Sequence, residues 1–142
     1  KIKKNPNMPN HLTTLIIWQY FSFAWTEVGL GEDDILQYAQ QLQAHQVIWA
    51  DIENVFYRQV LWGFAGHSLC MCVVIIPIVG MLIMAHVLPE WQFEEKYLQK
   101  KMQHIQQKAW LYYLNPVCWF GYILAWMMSY GLFKKLKRAY AE

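Results

Sequence analysis

The sequence predicts an all-α membrane protein built on a two-span helical hairpin, with spans at about 60–88 and 110–133. Three observations predict it. No charged side chain lies between Arg58 and Glu90. A hydrocarbon core about 30 Å thick takes roughly 20 apolar helical residues, and that run exceeds this length. A second charge-free run, 109–133, is also long enough. Hydrophobic residues make up 56% of the 142 and charged residues only 15%, a balance that leans away from an ordinary soluble domain.

The length suits one domain. Residues 1–11 are basic and then rich in Asn and Pro, which disfavours helix and reads as an extended arm. Lys1, Lys3 and Lys4 lead into Asn and Pro rather than a short apolar core, so no secretory signal is expected. Segment 12–25, LTTLIIWQYFSFAW, is apolar and aromatic. A helix there is about 21 Å long, short for a crossing. Thr13, Thr14, Gln19 and Ser22 dilute it further. It reads as an interfacial segment or one buried against a partner, with a third span as the alternative.

Gly29-Leu30-Gly31 breaks the chain, and Glu32-Asp33-Asp34 supplies acids that suit the positive end of a helix dipole. Over about 33–58 the apolar residues Ile35, Tyr38, Ala39, Leu42, Trp49, Ile52 and Phe56 keep helical spacing. They fall within an arc of about 140°, so this is an amphipathic helix. Glu53 falls inside that arc as an exception. No Gly or Pro intervenes before Gly63, so one helix is expected to run straight into the first span.

In the first span Gly63, Gly66, Cys70, Val73, Pro77, Gly80 and Met84 form a stripe of mostly small residues. Lipid provides no hydrophobic drive between helices, so spans associate by close backbone approach through small residues. Cys118, Gly121, Ala125, Ser129 and Leu132 form a matching stripe in the second span. The expected packing residues are Gly63, Gly66, Gly80, Gly121, Ala125 and Ser129, on an antiparallel hairpin with small faces inward. The connector at about 90–108 repeats helical spacing through Phe93, Tyr97, Leu98, Met102 and Ile105, with its charged residues mostly elsewhere. Asn115-Pro116 marks a bend near the start of the second span. The tail, 134–142, is basic.

The flanking segments are too small to hold a core alone, so they are expected to lie on the membrane or pack on something else. Orientation is weakly set. Arg58, Lys134, Lys135, Lys137 and Arg138 face four connector lysines across the membrane.

His67 is the most suggestive residue for chemistry. Membrane histidines ligate haem, relay protons or touch a quinone, while the plainer reading is a hydrogen bond to a neighbouring helix. His86 is 19 residues on, about 28 Å along a helix, so the two cannot share one iron. A haem site would need a partner's histidine. Cys70, Cys72, Met81, Met84 and His86 suggest soft-metal binding, but Cys70 and Cys72 point about 200° apart and do not chelate together. No carboxylate lies inside a span, and no phosphate loop, His-Glu-x-x-His or nucleophile elbow is present.

Net charge is +2 with the lysines scattered, which is no nucleic-acid footprint. Lys134, Lys135, Lys137 and Arg138 follow directly on a span and suit an anionic lipid such as cardiolipin. The expected function is a non-catalytic accessory subunit of a large membrane complex, of the type found in the respiratory chain or ATP synthase of the mitochondrial inner membrane. Its partners would be other membrane subunits, and it would need no cofactor. The alternative is a haem- or quinone-binding anchor that uses His67 with a partner subunit.

Overall fold

The computed structural model describes residues 10–26, 29–73 and 93–141. Among them every element is helical: α1 (His11–Ser22), a 3-10 turn (Phe23–Trp25), α2 (Glu32–Ala44), α3 (Trp49–Val55), a π-helical turn (Phe56–Val60), α4 (Leu61–Val73), α5 (Glu95–Leu114) and α6 (Pro116–Ala141). Of these, α6 alone is long and apolar enough to cross a membrane. The described part of the expected first span is the 13-residue α4. Its remainder, with Pro77, Gly80, Met81, Met84 and His86, lies outside the described residues.

The core is built around α1. Ile17, Trp18, Tyr20, Phe21 and Trp25 are completely buried by the chain's own helices. Segment 12–25 therefore needs no outside partner, contrary to the expectation from its composition. Two of its hydroxyls are satisfied locally: Thr13 Oγ1 donates to the Asn10 carbonyl at 2.7 Å and Ser22 Oγ to the Gln19 carbonyl at 2.7 Å. The Tyr20 hydroxyl donates to the Leu132 carbonyl at 2.8 Å, tying α1 to α6.

The expected continuous helix over 33–58 is broken. The Gly31 amide donates to Asp34 Oδ2 at 3.1 Å, which closes the start of α2. The helix ends at Ala44, with Gln46 left-handed at φ 54°. The Gln46 amide donates to the Gln43 carbonyl and the Val47 amide to the Leu42 carbonyl. That pair of bonds is a Schellman motif, usually closed by glycine. Buried Val47 and Leu42 supply its apolar contact. The sequence hid this stop because Gln takes the left-handed position, at a cost of about 1–2 kcal/mol.

α4 and α6 run antiparallel. Phe133 stacks on Phe56 with centroids 4.8 Å apart, while Gly121 meets Ala65 at the other end. The apolar face of α2, through Ile35, Ala39 and Leu42, is buried, and Gln43 Nε2 donates to the Tyr140 carbonyl at 3.0 Å. Tyr140 in turn donates to the Val47 carbonyl. The expected tail is thus the end of α6, docked on α2 and on the turn after it.

α5 runs past the expected end of the connector and bends at Lys108, where φ is −125° and ψ 24°. Phe93, Leu98, Met102 and Ile105 are buried. The apolar faces expected to need outside cover are covered from within. The break falls at Asn115-Pro116 as the sequence predicts. Asn115 Oδ1 accepts from the Val117 amide at 3.0 Å, and Pro116 occupies the first helical position. The apolar helix thus begins at Pro116 rather than 110.

Candidate functional site

α4 and α5 bring three polar side chains together. Lys101 Nζ lies 3.0 Å from His67 Nδ1 and 3.2 Å from the Tyr97 hydroxyl. That hydroxyl is 3.2 Å from His67 Nε2. The triangle sits in an aromatic box. Lys101 Nζ is 4.2 Å from the Phe64 ring centre, and Trp25 stacks on the other side of Phe64 at 4.2 Å and 8°. Phe93 stacks on Tyr97 at 5.5 Å and 15°. Trp25 is held in turn by its indole N–H, which donates to Ser68 Oγ at 2.8 Å.

The i, i+4 spacing of Tyr97 and Lys101 puts both on one face of α5, and His67 reaches them from the second turn of α4. Burial holds the Lys101 ammonium down to about 7. Burial also raises the Tyr97 phenol, which therefore keeps its proton at neutral pH. Sequence reasoning singled out His67 but left Lys101 among the connector charges set mostly apart from the apolar stripe. The missed signal was that Lys101 directly flanks Leu98, Met102 and Ile105, the buried stripe of α5.

Both ring nitrogens of His67 are engaged, so an iron on either would first displace Tyr97 or Lys101. Cys70 and Cys118 are free thiols, and no three His, Cys, Asp or Glu side chains converge among the described residues.

The expected packing residues divide. Gly121, Ala125 and Ser129 are buried on the face of α6 that meets α4, with Ser129 Oγ donating to the Ala125 carbonyl at 2.6 Å. A Cβ on Gly121 would sit 2.5 Å from the Ala65 carbonyl oxygen. On α4 the stripe is a different one. Gly63 faces the Trp18 ring of α1, and Gly66 faces open space with nothing within 4 Å of an added Cβ. Ala65 is the small residue that meets Gly121 of α6, about 100° around the helix from Gly66.

The four basic residues also divide. Lys137 reaches Glu53 at 3.9 Å, and Glu53 accepts from the Trp49 indole at 2.7 Å, so the one acid in the apolar arc has partners. Lys134 lies over the Tyr130 ring at 4.8 Å. Lys135 and Arg138 line a cleft of about 370 Å³ with Glu32, Ile35, Leu36 and Ala139.

A third feature is an uncovered apolar band. Trp110, Leu111 and Leu114 of α5 continue into Val117, Trp119, Phe120, Ile123 and Met127 of α6, all exposed. No protein-family model matches the chain, and no similarity to a curated protein or a solved structure is found.

Proposed function

We propose that the chain is an integral membrane protein that serves as a structural, non-catalytic subunit of a larger membrane assembly. The observation that carries this reading is the uncovered apolar band along the end of α5 and the first half of α6. Leu114, Val117, Phe120 and Met127 are each 57–73% exposed. Water-facing surfaces rarely hold so many adjacent large apolar side chains, whereas hydrocarbon covers them without penalty. At about 1.5 Å per residue the 26 residues of α6 reach roughly 39 Å, enough to cross a core of about 30 Å with the basic turns outside it. The apolar faces of α1 and α2 and of the first half of α5 are filled from within the chain. The α6 band is then the surface left for acyl chains and for helices of neighbouring subunits.

Lys135 and Arg138, beside the end of the crossing, would hold an anionic headgroup, cardiolipin if the membrane is the mitochondrial inner membrane. That address rests on likeness of type alone: a small, aromatic-rich chain whose apolar runs carry no charge. Alkaline extraction of membranes followed by native electrophoresis in mild detergent tests the proposal. The chain should stay in the pellet and then co-migrate with other membrane proteins identified by mass spectrometry. A monodisperse monomer soluble without detergent would overturn the membrane reading. A stable monomer in detergent would overturn the subunit reading.

A further inference from the structure

Counting protons around the His67–Tyr97–Lys101 triangle leaves one unspent. The Lys101 ammonium has three N–H bonds and three acceptors: His67 Nδ1 at 3.0 Å, the Tyr97 oxygen at 3.2 Å and the face of Phe64 at 4.2 Å. Because His67 Nδ1 accepts, its proton is on Nε2, which donates to the Tyr97 oxygen at 3.2 Å. The phenolic oxygen thereby accepts twice. Its own O–H must point away from the triangle, and Tyr97 is 40% exposed. Two donors, one of them cationic, polarise that O–H and strengthen it as a donor.

Among the described residues the triangle also has no carboxylate within ion-pair distance. The described groups packed against the ammonium are neutral or aromatic: His67 and Phe64 from α4, Tyr97 from its own helix. The only charged side-chain pair within 4 Å among the described residues is Lys137 with Glu53, on the other side of the fold. A largely buried cation with no carboxylate beside it among the described residues attracts an anion, and the one available donor points to where that anion would sit.

We propose that Tyr97, backed by His67 and Lys101, is the donor of a binding site for a singly charged carboxylate. One donor and one positive charge match a group that carries one charge over two oxygens. A phosphate would call for more donors. The carboxylate is either that of an amphiphile, whose tail would lie in the membrane, or a small free anion. The site goes beyond the structural role proposed above and does not depend on it.

The test uses the full chain purified in neutral detergent, at about pH 6, where Lys101 holds its proton. Carboxyl-labelled decanoate and acetate are titrated while the label's NMR signal is followed, with inorganic phosphate and decanol as further probes. We expect saturable binding of decanoate, of acetate or of both. Binding should fall about tenfold or more in Tyr97→Phe, which keeps the ring stacked on Phe93 and loses only the O–H. Lys101→Met should weaken it similarly. If decanoate alone binds, the ligand is an amphiphile; if acetate binds as well, the site takes free carboxylates. No saturable binding, or equal binding by wild type and Tyr97→Phe, overturns the site. Decanol matching decanoate would reduce it to apolar partition, and phosphate outcompeting both would overturn the carboxylate assignment. Unchanged helix content in both variants keeps misfolding from standing in for lost binding.

Discussion

Gly121 of α6 and Ala65 of α4 meet backbone to backbone: a Cβ on Gly121 would lie 2.5 Å from the Ala65 carbonyl oxygen and 3.1 Å from the Ala65 Cβ. The carbonyl belongs to a helix and cannot swing aside. Gly121→Ala should therefore force the helices apart and cost about 1–3 kcal/mol, as overpacking does. Gly66→Ala meets nothing within 4 Å and replaces a helical glycine, so it should leave stability unchanged or raise it by about 0.5–1 kcal/mol. Thermal melts followed by helical circular dichroism in detergent would separate the two. Equal effects would mean that α4 and α6 do not meet through Gly121.

A second contact involves Gly63, where an added Cβ would overlap the Trp18 ring. Trp18 is fully buried, so it has no room to move. Gly63→Ala should destabilise, and Trp18→Phe should destabilise by leaving a void. Together they should cost less than their sum, because the smaller ring makes room for the new methyl. A coupling of about 0.5–3 kcal/mol in the double-mutant cycle is the expected result, and strict additivity would count against the contact.

How much of this was legible follows from what helical periodicity encodes. It gave the faces of α2 and α5 and the small face of α6, because those residues recur every three or four positions whatever they pack on. The Asn115-Pro116 break was legible because proline constrains the backbone locally. The stop at Gln46 was not, since a non-glycine residue there pays the left-handed strain and only tertiary packing decides to accept it. Periodicity also could not choose between two small stripes on α4, one through Gly63 and Gly66 and one through Ala65. The cluster at His67 was half legible. A histidine in an apolar run stands out, whereas Lys101 looks like any surface lysine until α5 is laid against α4.

The Trp25 indole N–H has one acceptor, Ser68 Oγ at 2.8 Å, and both residues are completely buried. The Ser68 hydroxyl in turn donates to the Phe64 carbonyl at 3.1 Å. Ser68→Ala should strand the indole N–H away from water and cost about 1–3 kcal/mol. Ser68→Thr, which keeps the hydroxyl, should cost less in the same melts. If alanine is as well tolerated as threonine, the hydrogen bond contributes nothing net.

Burial lowers Lys101 from 10.5 to about 7. Between those values the unfolded chain holds a proton that the folded chain lacks, so stability should rise with pH across that window. The gain is complete above the unfolded value and is lost as pH falls through about 7, with a slope of at most about 1.4 kcal/mol per pH unit. Lys101→Met removes the titrating group. Between about pH 7 and 9 the mutant's stability should rise less steeply than wild type's, as read from melts at stepped pH. Parallel curves would show that the ammonium is not the group responsible.

The basic end of α6 offers a contrast that its sequence alone does not. Lys137 is turned toward Glu53 at 3.9 Å and Lys134 toward the Tyr130 ring at 4.8 Å, whereas Lys135 and Arg138 share a cleft. Cations already in contact with a partner gain less from a lipid phosphate than the two that line the cleft, which with Glu32 still leave it one net positive charge, and each cation near a membrane surface is worth about 1 kcal/mol. Changing Lys135 and Arg138 to Gln should therefore lower the acidic lipid retained by the purified protein several-fold at low salt. Changing Lys134 and Lys137 to Gln should lower it less. Raising salt toward 1 M shortens the screening length to about 3 Å and should bring wild type and both variants together. Native mass spectrometry of the retained lipid reads all three. Identical retention in the two variants would make the cluster a uniform topology signal, with no preference for the cleft.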